Sequence, residues 1–266
     1  MPRVVARGDN LNELNANFAQ VRLEVPVFLN SVPKCGTHLM RNIVRMFVPV
    51  EQQYHTVFIQ HPVLRQHLGA FSPTTPKLSW GHLLFSDDAA IALRNVKHTV
   101  LVRDPYDWVL ARARFFLSEN FQGSLEHLKN GNASVAEVLN MMILGIYEKA
   151  PTLQEIFLHN AIGWLGTKAE IIRFEDLVAN LKRLETTEAE EYFSGLLAKC
   201  GVESLPSDWR ERVRIGSDRK QSGTARENLS GKTGVVPDEL PETQKRIVDV
   251  SAPGLRELLG YTRDRN

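Results

Sequence analysis

Pro33-Lys34-Cys35-Gly36-Thr37 carries the residue types that hold an anion. An apolar run, Val25-Pro26-Val27-Phe28-Leu29, ends just before it at Asn30-Ser31, and a helical pattern begins just after it. The unsatisfied N–H groups and positive end of that helix favour a phosphate or sulfate oxygen. Gly36 lets the backbone approach such an oxygen, Thr37 adds a hydroxyl donor, and Lys34 adds a point charge. A tight turn bearing a surface lysine fits the same five residues equally well.

Two other phosphate chemistries can be weighed on spacing. A nucleotide-kinase loop needs a first glycine, four spacers and then Gly-Lys-Ser/Thr. Here the lysine precedes the only glycine, which disfavours a triphosphate site. Cys35 and Arg41 have the spacing of a thiolate phosphatase loop, where a cysteine at a helix N-terminus attacks phosphate and an arginine clamps it. That loop normally has a histidine where Lys34 stands and Ser/Thr where Asn42 stands, and Arg41 falls within the helix. The phosphatase reading is therefore the minor one.

The elements that must position these residues follow from periodicity. Val25–Leu29 reads as a buried strand. From Thr37 to Val48 the period changes: Leu39, Met40, Ile43, Val44 and Phe47 recur at helical spacing, with Arg41 and Arg45 expected on another face. His98–Val102 reads as a second strand, with Arg103 at its end, Asp104 as N-cap and Pro105 as first helical residue. A third strand is expected over 170–174, and helices near 134–149, 153–165 and 242–259. Strands alternating with helices imply an α/β fold, a parallel sheet covered by helices. Residues 213–241 are basic, glycine-containing and aperiodic, and are expected to be a long donor-binding or lid loop.

Composition narrows the class. The chain has 266 residues, without a linker-like stretch, so one domain is expected over 1–266, with its core at about 25–260. Lys plus Arg number 32 and Asp plus Glu 31, a formal net charge of +1, which argues against binding nucleic acid by bulk charge. Two cysteines, Cys35 and Cys200, make neither a disulfide framework nor a metal motif. No run approaches the roughly 20 apolar residues of a membrane span. A cytoplasmic, reduced setting is expected.

Pro33-Lys34-Cys35-Gly36-Thr37 and Arg103-Asp104-Pro105-Tyr106-Asp107 together resemble the two donor-binding motifs of sulfotransferases that use 3′-phosphoadenosine 5′-phosphosulfate (PAPS). The first is similar to the family's Pro-Lys-Ser-Gly-Thr loop for the 5′-phosphosulfate, the second to its Arg-Asn-Pro turn for the 3′-phosphate. Trp80-Gly81-His82-Leu83 resembles the family's histidine segment, and Phe174-Glu175-Asp176-Leu177 its later Glu-Asp element. The four stand in the family's order over residues 25–235.

The resemblance implies a P-loop-like sulfotransferase fold and transfer of a sulfuryl group to a hydroxyl of a small molecule, sugar or peptide. It implies His82 as general base and Lys34 as the charge that stabilises the leaving phosphate. Pro33, Lys34, Cys35, Gly36, Thr37, His38 and Arg103 would hold the donor, with Arg226 and Lys232 from the late loop. No metal is implied. A non-catalytic nucleotide-binding module of the same fold is a further alternative, and oligomeric state is not readable. The chain departs from the family at Cys35, which replaces a serine, and at Leu39, where an aromatic residue is common. It departs again at Ala111, where a phosphate-binding serine would fall. Nearby Arg112 and Arg114 could compensate for Ala111 or simply line a helix surface.

Overall fold

The computed structural model describes residues 3–4, 8–123, 125–129, 131–223, 225–226, 229–231 and 235–261. Its strands are β1 (Arg3–Val4), β2 (Val27–Ser31), β3 (Ile59–Gln60), β4 (Leu78–His82), β5 (Lys97–Val102), β6 (Phe121–Gln122) and β7 (Glu170–Arg173). Five form one sheet in the order β3-β4-β2-β5-β7, every pairing parallel. β1 and β6 make a separate antiparallel pair. The α/β expectation holds: a parallel five-stranded sheet flanked by helices.

The chain forms two compact units, Asp9–Val102 with His159–Ser222, and Met1–Gly8 with Arg103–Leu158 and Gly223–Asn266. The first contains the whole five-stranded sheet. β2 lies at its centre and is buried along its full length, as its run of apolar residues requires. The helix Thr37–Arg45 follows β2 and buries Met40, Ile43 and Val44. Arg45, expected on a polar face, is buried too. It forms an ion pair with Asp9 at 2.9 Å and donates to Gln53 Oε1 at 2.9 Å and Asn12 Oδ1 at 2.7 Å.

One expectation needs correction. Residues 213–217 are not loop: they end a helix, Trp209–Ser217, and a 3₁₀ turn follows at Arg219–Gln221. The buried positions Trp209, Arg212, Val213 and Gly216 do follow helical spacing. The pattern is hidden because one of its members is an arginine. Arg212 is buried against Phe18 and Phe47, bonds both oxygens of Asp208, and donates to the carbonyls of Ala19 and Met46. The closing helix is also interrupted, as Glu242–Ser251 and Leu255–Leu258.

In the second unit, the helices Pro105–Leu117, Val135–Leu144 and Glu242–Ser251 pack together. Arg112 is a structural staple there. It is buried, stacks on Trp108 and Phe116, and donates to the carbonyls of Met142 and Pro151. It takes neither the phosphate-binding nor the surface role considered for it.

The sheet register brings the ends of β2 and β4 level, with Asn30 opposite Gly81. Asn30 is buried, and its amide clamps the residue after β4: Nδ2 donates to the Leu83 carbonyl at 3.0 Å, and Oδ1 accepts from the Leu83 N–H at 2.9 Å. Asn30→Ala leaves both backbone groups unsatisfied. It is expected to lower the free energy of unfolding by about 2–4 kcal/mol, measured by urea denaturation.

Candidate active site

The loop after β2 is a tight, strained cradle. Cys35 N–H bonds back to the Val32 carbonyl at 3.2 Å. Lys34 has φ of 70° and Gly36 φ of 96°. The first is an uncommon conformation for a residue with a side chain, at a cost of about 1–2 kcal/mol. Gly36 is required on two counts, since a Cβ there would also lie 2.5 Å from the Phe174 ring. The helix Thr37–Arg45 starts directly after, and its N-cap residue, Gly36, has no side chain with which to cap it. Its first N–H groups face the loop as an anion-binding end.

His82, the last residue of β4, stands beside this loop. Its Nδ1 lies 2.8 Å from the Ser31 carbonyl oxygen and 3.1 Å from Ser31 Oγ, and that hydroxyl is 2.6 Å from Thr37 Oγ1. A carbonyl can only accept, so this contact favours the tautomer with the proton on Nδ1 and the lone pair on Nε2. The Phe58 ring covers His82 edge-on, centroids 4.7 Å apart. Burial pushes the His82 pKa down to about 4, the Ser31 carbonyl raises it in part, and the nearby Lys34 charge lowers it. His82 is therefore neutral at pH 7 and able to accept a proton at Nε2. Gly81 lies so near β3 that a Cβ would be 1.9 Å from the Ile59 carbonyl oxygen, which accounts for the Trp-Gly-His spelling.

Burial, followed by the charges of Arg41 and Lys34, lowers the His38 pKa to about 3. The premises of the phosphatase reading fail. Cys35 is fully buried, out of reach of a substrate phosphorus. Arg41 is turned to Asp9 at 3.4 Å, to Asn42 Oδ1 at 2.9 Å and over the Trp80 ring.

Arg103 is the residue immediately after β5. In its unit, Asp104 caps the following helix through the Tyr106 N–H, and Arg256 bonds both Asp104 oxygens at 3.1 and 2.8 Å. That pairing neutralises the acid that stands where the family has an asparagine. Arg114 reaches the Pro237 carbonyl and Asp238, and Arg226 bonds Asp238 at 2.8 Å. Arg114 loses proton affinity first through burial, then through the charges of Arg226 and Arg103, with Asp238 and Asp107 opposing. Arg103 and Arg226 thus lie within electrostatic reach of Arg114, together with Asp107 and Asp238, and Arg226 is held by Asp238. Lys232 lies outside the described residues.

With this geometry in hand, the chain can be set against known structures. It aligns with the crystal structure of mouse sulfotransferase SULT7A1 complexed with PAP over 95% of this chain and 94% of that one. The TM-score is 0.59 and the identity 17%. The chain has the sulfotransferase fold. No protein-family model matches the sequence, and no curated protein does. Among the described residues, no helix is long and apolar enough to cross a membrane.

Within the sulfotransferase fold, the sheet brings Lys34, Gly36, Thr37, His38 and His82 to one end of adjacent strands. Glu175 and Asp176 open the helix Phe174–Lys182, and Asp176 pairs with Arg173 at 2.8 Å, as scaffold residues would. Trp164 is core, packed on Phe85 and His98. Asn30 and Ser31 open the segment that the sequence marks as an anion loop, but sequence reasoning assigned neither an individual role. Their signal was a polar pair closing an apolar strand, since buried polar groups need partners.

Because burial dominates the His82 shift, uncovering the ring must reverse it. Phe58→Ala is expected to raise the His82 pKa from about 4 towards the ordinary value of about 6.5. An NMR titration of the His82 ring protons measures this directly; an unchanged midpoint would refute the assignment of burial as its cause.

Proposed function

We propose that this chain transfers a sulfuryl group from PAPS to an acceptor hydroxyl. One observation carries the reading: the Lys34–Thr37 cradle and the His82 imidazole meet at one sheet end, joined through Ser31. An anion-binding loop beside a neutral base with a bare nitrogen is what in-line transfer to a hydroxyl needs. The PAP bound in the mouse sulfotransferase supports the same donor here.

The acceptor oxygen attacks sulfur as the bond from sulfur to the bridging phosphate oxygen breaks. The acceptor proton passes to His82 Nε2, and adenosine 3′,5′-bisphosphate (PAP) leaves. Lys34 neutralises charge that grows on the bridging oxygen. Gly36, Thr37 and His38 donate to the 5′-phosphate from the helix start, while Pro33 and the buried Cys35 shape the turn. Arg103 takes the 3′-phosphate with a guanidinium suited to two oxygens. Arg226 joins it only by leaving Asp238, and Lys232 is the remaining late-loop candidate. The acceptor class proposed is a small molecule, sugar or peptide, and the proposed setting is the cytoplasm.

Calorimetry with PAP tests donor binding. Lys34→Ala and Arg103→Ala are each expected to weaken it by about 10- to 100-fold, the loss of one charge-assisted contact. His82→Ala is expected to cut turnover by about 10²- to 10⁴-fold with PAP affinity kept. Unchanged turnover in His82→Ala would reject the base assignment, and a wild type that ignores PAP would reject the reading as a whole.

A further inference from the structure

The hydrogen-bonded chain Thr37–Ser31–His82 admits two orders of protons, one of which the Ser31 carbonyl favours. In the favoured order the Ser31 carbonyl oxygen, 2.8 Å from His82 Nδ1, accepts from a proton on that nitrogen. Ser31 Oγ, 3.1 Å from the same nitrogen, therefore cannot donate to it and can only share its N–H. The serine proton goes to the other neighbour, Thr37 Oγ1, at 2.6 Å. Thr37 is then an acceptor in that bond, and its own proton points to a third group.

The opposite order has Thr37 donating to Ser31 and Ser31 donating to Nδ1. It forfeits the bond to the Ser31 carbonyl and puts the ring proton on Nε2, where no lone pair is left to accept a proton. The two orders differ in what Thr37 does with its hydrogen. An anionic oxygen that accepts from the Thr37 hydroxyl favours the first order, because a bond to a charged acceptor is about twice as strong as a neutral one.

We infer that Ser31 is a positioning residue that couples donor occupancy to the tautomer of His82. When Thr37 gives its proton to the donor's phosphate, Ser31 must give its own to Thr37, and His82 is left with Nε2 bare. The base is readied by the arrival of the donor. Ser31 is suited to this by its place: it is buried, it ends the central strand, and its backbone and side chain both meet the His82 ring. The inference rests on the sulfuryl-transfer reading for the identity of the anion.

The test is ¹⁵N NMR of histidine-labelled protein at pH 7, with and without PAP, together with turnover. In the wild type, PAP is expected to raise the population of the Nδ1-protonated His82 tautomer. In Ser31→Ala that population is lower and insensitive to PAP, and kcat falls about 3- to 10-fold. Ser31→Thr, which keeps the hydroxyl, restores both. Should Ser31→Ala not fold, Thr37→Val breaks the same chain and is expected to abolish the PAP response of the tautomer. If PAP binds but the tautomer of the folded variant responds as in the wild type, the coupling is overturned and the transfer reading stands. If the wild type does not bind PAP, the transfer reading and the coupling fall together.

Discussion

Two adjacent polar side chains, Asn30 and Ser31, close a strand that is otherwise apolar and wholly buried. Buried polar groups are costly unless bonded, and this requirement organises the site. Asn30 bonds the backbone of Leu83 and so fixes how the chain leaves β4. Ser31 bonds His82 on one side and Thr37 on the other. The central strand therefore dictates where His82 and the loop after β2 stand. In a parallel sheet, β2 has neighbours on both sides whose connections diverge at its carboxyl end, which is where such folds bind ligands.

The legible parts of the fold were those with one dominant physical signal. β2 and β5 are continuous apolar runs, and the helix after β2 has a clear 3.6-residue stripe. β3 has only two residues and β4 contains Gly81, so neither gives a strand pattern, although Gly81 is needed for the approach of Ile59. The helix Trp209–Ser217 was illegible because Arg212 and its partner Asp208 read as surface charge. Of the candidate site, Lys34, Gly36, Thr37 and His82 are singled out by residue type and order, and the sheet brings them to one end. The covering ring of Phe58 and the bridging role of Ser31 are not singled out, because both depend on strand register rather than on local sequence.

The departures from the family pattern have different physical standing. Cys35 is a buried filler of the turn, so the change from serine removes a hydroxyl from a position without solvent access. Asp104 brings an extra negative charge beside Arg103, and Arg256 cancels it with a two-point bond. Arg226 is engaged with Asp238, so its use on a phosphate requires an exchange of partners. The aromatic surface at the loop comes from Phe174, which lies against Gly36, rather than from position 39.

The proposed transfer requires the loop after β2 to hold the donor's 5′-phosphate beside His82. A crystal structure of the chain with adenosine 3′,5′-bisphosphate tests it most directly. The 5′-phosphate is expected within hydrogen-bonding distance of Gly36 and Thr37, with Lys34 beside it. A nucleotide bound away from Lys34–Thr37 would contradict that reading.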